Sequence, residues 1–471
     1  MSKYDRLNSE DPMNTLCRMV VQTKYDDLPP AVVQYAKQSI LDIIGVIIGG
    51  SAMEGILPVV KIVKDKAGKP ESYIPLHGGK VPAANAAFAI GSMTRAMDFA
   101  QIHPVALHCS EHVIAPLLAL ASKKGNVSGR DFITAFAMGQ EVILRIGVAW
   151  RVATGKLHNL GSGHYIFGSV AGAGKLLGLD QEILENAEGI AREMNQPYDR
   201  AAFYPPTHMI KVHMGFVAQD AVTACLLAKR GTTGPRNDVL LGFRGYFNTV
   251  AKWETDPDFL TQDLGEKWEM MNAEVKPYTG TKFLHSSIHG IIDQKQRHDF
   301  KADDIDTIHI EQAPLGYHLI GTPEMKEKRW NPKDIYEFQY SLPFVVASAA
   351  YDGDVFITSF EEKARNRSEV RNLMSRISVS ADEQMPVWAA RLTTTLKNGK
   401  KYTNEFFARD VKGHPENMFS EKELIEKFKK SVPYSIYKIP EKSIDSLIDA
   451  ILNMEKVQDV VDTVINPLVP A

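Results

Sequence analysis

Apolar residues recur with helical spacing through the first 266 residues of this 471-residue chain, give way to strand-like alternation, and return to helical spacing from Ser420. A chain patterned in that order has to build one large helical unit from both of its ends, with a smaller mixed unit inserted late. In the first half, Pro29-Pro30 fits a helix start, Val33, Ala36, Ile40, Ile44 and Ile47 mark one face, and Gly49-Gly50 stops it. The segment Ala83–Phe99 is dominated by Ala and Gly, which let neighbouring backbones approach closely in a bundle. Further helices are expected at Pro116–Lys124, Gly129–Trp150, Phe167–Leu177, Gln181–Glu193 and Gly215–Lys229. Later, Ile305–Glu311, Ile377–Val379, Leu392–Leu396 and Lys401–Phe406 read as strands, and Asn398-Gly399 between the last two is a hairpin signal. Helices are expected between them at Ser341–Tyr351 and Phe360–Met374. The expected fold is therefore mainly α: an all-α helical-bundle domain from residues 1–266 and 410–471, and a smaller α+β domain from 267–409.

Composition narrows the function classes. The net charge is −3 and no Lys/Arg stripe is present, which argues against nucleic acid as a partner. A few local cations still suffice for an anionic metabolite. Cys17, Cys109 and Cys225 lie far apart, which suits reduced thiols in a cytoplasmic setting and supports neither a disulfide framework nor an iron–sulfur cluster. The polar N-terminus resembles no secretory signal. The longest apolar stretch, Ile40 to Ile48, contains Asp42 and is too short to span a bilayer, so no membrane partner is expected.

Two motif matches fail on inspection. His108 to His112 reads H-x-x-E-H, a zinc pattern with Glu111 as a base, but nothing obvious supplies a third ligand. No metal and no cofactor is expected. GSVAGAGKLLG resembles a phosphate loop, yet Ser169 replaces its first Gly and Leu176 its Ser/Thr. Small residues packing one helix on another explain it better.

Four clusters of His, Lys and Asp remain, in turn-like or Gly/Pro-marked segments where binding residues concentrate. The first holds Arg95, Asp98, His103, His108, Glu111 and His112; the second, His158 and His164 around a glycine turn. The third holds Lys211 and His213 just ahead of an expected helix, and the fourth Lys276, Lys282 and His285. Singly, each is more simply a structural histidine or a solvated lysine. Together, convergent Lys and His groups suit a substrate with several carboxylates, and histidine moves protons near neutral pH.

These segments also resemble a known family. AIGSMTRAMDF, HCSEHVIAPLLALA, GKLLGLD, GFVAQDAVTACLLAKRGTTGP, the Lys276–His285 segment and DVKGHPENMFSEKEL are similar, in order, to blocks of the MmgE/PrpD proteins. The similarity runs from about residue 14 to about residue 430. It implies a helical bundle with a smaller α+β lid, a homodimer, and a metal-independent site between the domains. Family activities include dehydration of 2-methylcitrate, decarboxylation of cis-aconitate and epimerisation of iminodisuccinate. All move a proton at a carbon beside a carboxylate.

The resemblance implies that Asp98, His108, His158, Lys211 and Lys276 are catalytic, with His164 the substitute for His158, and that Arg95, His103, Lys282 and His285 bind substrate. Lys276 and Lys282 would stabilise the developing enediolate, while Lys211 and His285 hold other carboxylates. His108 or His158 would be the acid or base, oriented or tuned by Asp98. Several positions depart from the family pattern. Arg95 stands where a His is usual, Ala100-Gln101 where acidic residues are common, Lys282 where an Arg is usual, and Phe344 where decarboxylase-like members carry a tyrosine. The leading expectation is a hydro-lyase that dehydrates a citrate-like di- or tricarboxylate. Decarboxylation, epimerisation and non-catalytic carboxylate binding are the alternatives.

Overall fold

In the computed structural model the first half of the chain forms helices α1 (Pro12–Gln22), α2 (Pro30–Gly50), α3 (Ile56–Asp65), α4 (Ala83–Arg95), α5 (Ser110–Lys124), α6 (Gly129–Thr154), α7 (Tyr165–Leu177), α8 (Gln181–Met194) and α9 (Met209–Ala228). The structure describes residues 10–66, 68–154, 162–194, 207–251, 255–321 and 326–470. The small residues of α4 do what their size allows. A Cβ on Gly91 would lie 2.9 Å from the Cα of Gly215, and one on Gly215 would lie 2.3 Å from the carbonyl oxygen of Phe88. Helices α4 and α9 therefore meet backbone to backbone, a contact that only glycine permits at both positions.

Two helices begin earlier than Gly and Pro signals imply. Helix α5 starts at Ser110 and carries Pro116 inside it. A proline there leaves the carbonyl four residues back without its helical donor. That carbonyl, on His112, accepts instead from the Ser169 hydroxyl of α7 at 2.9 Å. Helix α9 starts at Met209 rather than Gly215, so Lys211 and His213 sit in its first turns and not ahead of it.

The second half builds a four-stranded sheet from β5 (Ile305–Gln312), β6 (Ile377–Ala381), β7 (Ala390–Leu396) and β8 (Lys401–Phe406), in the order β6-β5-β7-β8; two-residue strands earlier in the chain are β1 (Ser72–Tyr73), β2 (Lys80–Val81), β3 (Ile102–His103) and β4 (Leu107–His108). Strand β5 runs parallel to β6 and antiparallel to β7, and β7 turns into β8 through Gly399 at φ +84°. Burial alternates along β7, and helices His285–His298 and Leu342–Asp352 bury with it. The expected helix Phe360–Met374 is instead a turn, a short helix Glu362–Arg365 and a helix Ser368–Ser375.

Two hydrophobic cores result. One joins residues from Met13 to Ala273 with Leu424–Leu468, and the other runs from Leu284 to Phe406. The returning helix Glu421–Ser431 lies on α2, where Lys427 forms an ion pair with Asp42 and also donates to the carbonyl of Phe99 at 3.1 Å. Phe356 and Ile357, inside the second half of the chain, belong to the first core; the Phe356 ring lies 5.4 Å from that of Phe99. The short apolar run at Ile40–Ile48 understated its helix. By length and composition Pro30–Gly50, Gly129–Trp150 and Met209–Ala228 are long and apolar enough to cross a membrane, and 78%, 100% and 61% of their apolar windows are buried inside this fold.

Candidate active site

Three distant segments are stitched together by backbone. Helix α4 ends at Arg95, and Asp98 turns the chain with φ +51°. The hairpin β3–β4 follows, pairing Ile102 with His108. On its other edge Ile102 exchanges both backbone hydrogen bonds with Glu274, at 2.8 and 2.7 Å. Lys276 is thereby delivered beside Asp98. The next turn closes on the same residue, because the Gly280 N–H donates to the Asp98 carbonyl at 3.0 Å. Gly280 has φ +116°, and a Cβ there would press on the Gln339 carbonyl at 3.0 Å, which brings in the third segment.

The side chains at this junction form a buried ionic network. Asp98 Oδ1 accepts from Arg95 Nη1 at 2.5 Å and from Lys276 Nζ at 2.7 Å, and its Oδ2 accepts from the Tyr340 hydroxyl at 3.2 Å. Lys276 also donates to the Gly280 carbonyl at 3.0 Å and makes a longer contact of 3.4 Å to the Asp98 carbonyl. Arg95 Nη1 lies 3.3 Å from His108 Nδ1, and Glu111 Oε1 lies 3.0 Å from the same ring nitrogen. Burial by itself would raise the Asp98 pKa, but the Arg95 and Lys276 cations hold the carboxyl well below the usual carboxylate range. Asp98 is held ionised in contact with Lys276, Arg95 and the Tyr340 hydroxyl, and its charge opposes the lowering of the His108 pKa.

Around this network the charged groups are pushed towards neutrality. Burial, then Arg95 and Lys276, drive the His108 pKa well below the ordinary histidine value, so its ring is neutral. Burial lowers Lys276 despite Asp98 beside it. His285 opens its helix with Nε2 unpartnered and buried among the described residues. Burial and then Lys276 and Lys282 keep it neutral. A pocket lined by Lys276, Lys282, His285, Glu274 and Trp388 adjoins it. The Lys282 ammonium lies over the Trp388 ring, 5.1 Å from its centroid, and is ion-paired with Glu274, so its charge is already partly answered.

Other expected residues are placed differently. The His103 Nδ1 accepts from the backbone N–H groups of Val105 and Ala106 at 3.1 and 3.0 Å, with Nε2 3.6 Å from Glu269. That ring braces its own hairpin, and Lys282 and Glu274 are among the charges that act on it. His164 lies 3.3 Å from the Ala106 carbonyl through Nε2 and packs on Tyr165 at 4.1 Å. His158 lies outside the described residues. The two histidines of the H-x-x-E-H match are divided between β4 and α5, and the His112 ring stacks on Tyr165 at 4.0 Å. Among the described residues no three His, Cys, Asp or Glu side chains converge to hold a metal ion.

Lys211 is buried on α9 with its ammonium 4.3 Å from the centroid of the Tyr336 ring. Burial pulls its pKa down from 10.5 to about 7, with Asp98 and Glu54 opposing. Between those two values the unfolded chain binds more protons than the folded one. Stability therefore rises with pH across that window, and the full penalty is present below the folded value. Replacing Lys211 by Met is expected to stabilise the protein by about 1–2 kcal/mol near neutral pH, with the gain fading as pH approaches the ordinary lysine value. Thermal melts at the two ends of the window check this, and a Met variant that is less stable at neutral pH would contradict it.

One group in this network, Tyr340, escaped the sequence reading. Phe344, noted for lacking a tyrosine hydroxyl, is buried in the second core against Phe338 and Phe360. The hydroxyl that reaches Asp98 comes from Tyr340, four residues earlier. Glu111 belongs to the first cluster and to the zinc pattern, neither of which gives it a role beside His108. It is fully buried between Arg95 and His108, and burial lifts its pKa to about 7.

Comparison with known proteins agrees with the resemblance seen in the sequence. The MmgE/PrpD N-terminal domain matches residues 14–257, and the MmgE/PrpD C-terminal domain matches residues 278–453. The chain is 26% identical to the cis-aconitate decarboxylase-like protein oryM of Aspergillus oryzae over 82% of this chain and 83% of that protein. It is 26% identical to human cis-aconitate decarboxylase over 93% of this chain and 90% of that enzyme, and 24% identical to the mouse enzyme over 94% and 90%. Both halves of the chain are covered, in the order that the two hydrophobic cores follow, and the chain belongs to the MmgE/PrpD family.

Proposed function

We propose that this protein is a lyase that decarboxylates a small, cis-aconitate-like tricarboxylate without a metal or cofactor. The observation that carries this reading is the buried Arg95–Asp98–Lys276 network set against a neutral His108. Loss of carbon dioxide breaks a C–C bond and leaves its electron pair on the substrate, delocalised towards a neighbouring carboxylate. Lys276 has only a 3.4 Å contact for its third proton, so that proton can turn to the developing charge. His108 or Lys211, both held near the neutral–charged divide or below it, would carry the proton to or from carbon. His285, with its unpartnered nitrogen, and Arg95 suit the remaining carboxylates.

The similarity to cis-aconitate decarboxylases shifts the weight from dehydration, expected from the sequence, to decarboxylation. Dehydration of a citrate-like substrate remains the second reading, favoured by Phe344, which offers no hydroxyl where decarboxylase-like members of the family carry a tyrosine. A substrate panel of cis-aconitate, citrate, 2-methylcitrate and iminodisuccinate, followed by NMR in deuterated water, separates them. After dialysis against a strong chelator, the expected result is carbon dioxide release from cis-aconitate with deuterium entering the product. Unsaturated product from citrate or 2-methylcitrate would replace decarboxylation by dehydration. Turnover lost with stoichiometric zinc would overturn the metal-free reading, and no turnover or exchange on any acid would leave a carboxylate-binding protein.

A homodimer built through the helical domain is part of the same proposal. Sedimentation is expected to give twice the chain mass at micromolar concentration; a monomer there would count against it.

A further inference from the structure

We propose that Glu111 is a positioning residue: through Nδ1 of His108, and in competition with Arg95, it selects which ring nitrogen of that histidine is left as a base. The inference rests on the reading of His108 as the proton-transfer group, but its structural half stands by itself.

Glu111 Oε1 and Arg95 Nη1 approach the same atom, His108 Nδ1, at 3.0 and 3.3 Å. A guanidinium nitrogen only donates, whereas a carboxylate only accepts. Nδ1 cannot accept from Arg95 and donate to Glu111 at once, so the charge on Glu111 decides between them. The Arg95 approach meets hydrogen-bond geometry, and the Glu111 approach is a charge contact alone. An ionised Glu111 therefore acts by drawing the ring proton to Nδ1, leaving a lone pair on Nε2. When Glu111 is neutral, Nδ1 accepts, and Nε2 carries the proton as a donor. The carboxyl is fully buried at the second position of α5, and neither of its oxygens has a conventional hydrogen-bond partner among the described residues. Its ties to the site are charge interactions with Arg95, Lys276 and Asp98 and the 3.0 Å approach to His108 Nδ1.

The surroundings place this choice in an accessible pH range. Glu111 faces Arg95 and Asp98 from the end of α4, Lys276 from the loop after Glu274, His213 from α9, and Asp42 from α2, with Cys109 adjoining. Tyr165, from α7, faces Arg95. Burial raises Glu111 to about 7, while Arg95 and Lys276 oppose it. The basic Nε2 form of His108 therefore grows as pH rises through neutrality.

The test is the tautomer itself, read by two-bond proton–nitrogen correlation on protein labelled with 15N-histidine. His108 is assigned by the signal missing from His108→Gln. In the native chain the share with a bare Nε2 is expected to rise with pH across neutrality. In Glu111→Gln, which keeps size but not charge, that step should vanish. In Glu111→Ala, where Arg95 is the remaining partner, the ring should stay protonated on Nε2. With substrate, Glu111→Gln should lose on the order of a hundredfold in kcat, with KM little changed and the neutral limb absent from the pH profile. Because the tautomer is read without substrate, failure of every acid in the panel would sink the proposed reaction and leave this inference still decided. An unchanged His108 tautomer and pH response in the folded Glu111→Gln variant would overturn it.

Discussion

Lys276→Ala is expected to lower kcat and kcat/KM together, by on the order of a hundredfold or more. The ammonium is almost wholly buried, is aimed by Asp98 Oδ1 and the Gly280 carbonyl, and has only a long contact for its third proton. That arrangement suits charge that appears during the reaction better than a resting carboxylate. A grip on the ground-state substrate would instead raise KM and leave kcat. The substitution also removes one of the two cations that neutralise Asp98, and breaking such a buried pair typically costs about 3 kcal/mol or more. Arg95 remains at 2.5 Å, so the loss should fall short of unfolding the chain. Steady-state kinetics at a temperature where circular dichroism shows a folded variant separates the effects. Unaltered kinetics on the true substrate would sink the placement of the site.

His108→Gln is expected to reduce kcat by roughly a hundredfold to ten-thousandfold, the usual range for loss of a positioned acid or base. Because burial and the neighbouring cations hold the ring neutral, it is ready to accept a proton at neutral pH. Its base form is lost as pH falls through its lowered pKa, so a limb of the kcat/KM profile below the neutral one set by Glu111 belongs to it. The variant should lose that limb as well as rate. A rate loss with the limb intact would assign the limb elsewhere, with Glu111 or Lys211 the next groups to substitute. Retention of full rate would remove His108 from the chemistry.

Much of this was legible before the structure. The helical spacing of Pro30–Gly50, the small residues of α4 and the Asn398-Gly399 hairpin are local signals, and each became the expected element. Signals failed where a tertiary partner cancelled a local rule. Pro116 marked a helix start because proline strands a carbonyl, but Ser169, from another helix, satisfies that carbonyl. The His103 ring is engaged through Nδ1 by two amides of its own hairpin, a contact that spacing along the chain does not show. The family resemblance points to position 344, where this chain has Phe, and only the fold shows that the hydroxyl reaching Asp98 is that of Tyr340.

The sequence by itself determined the helical bundle with an inserted sheet, the family, and a set of residues rich in Lys, His and Asp. These rest on periodicity, turn chemistry and ordered motifs, all read along the chain. Tertiary structure alone decided what those residues are to one another. Asp98 and Lys276 are 178 positions apart, yet they meet because Ile102 pairs with Glu274. Once buried there, the same side chains change character: Asp98 is held ionised by two cations, while His108 and Lys211 are pushed towards neutrality. Charge state depends on desolvation and on neighbours in space, which spacing along a chain does not encode.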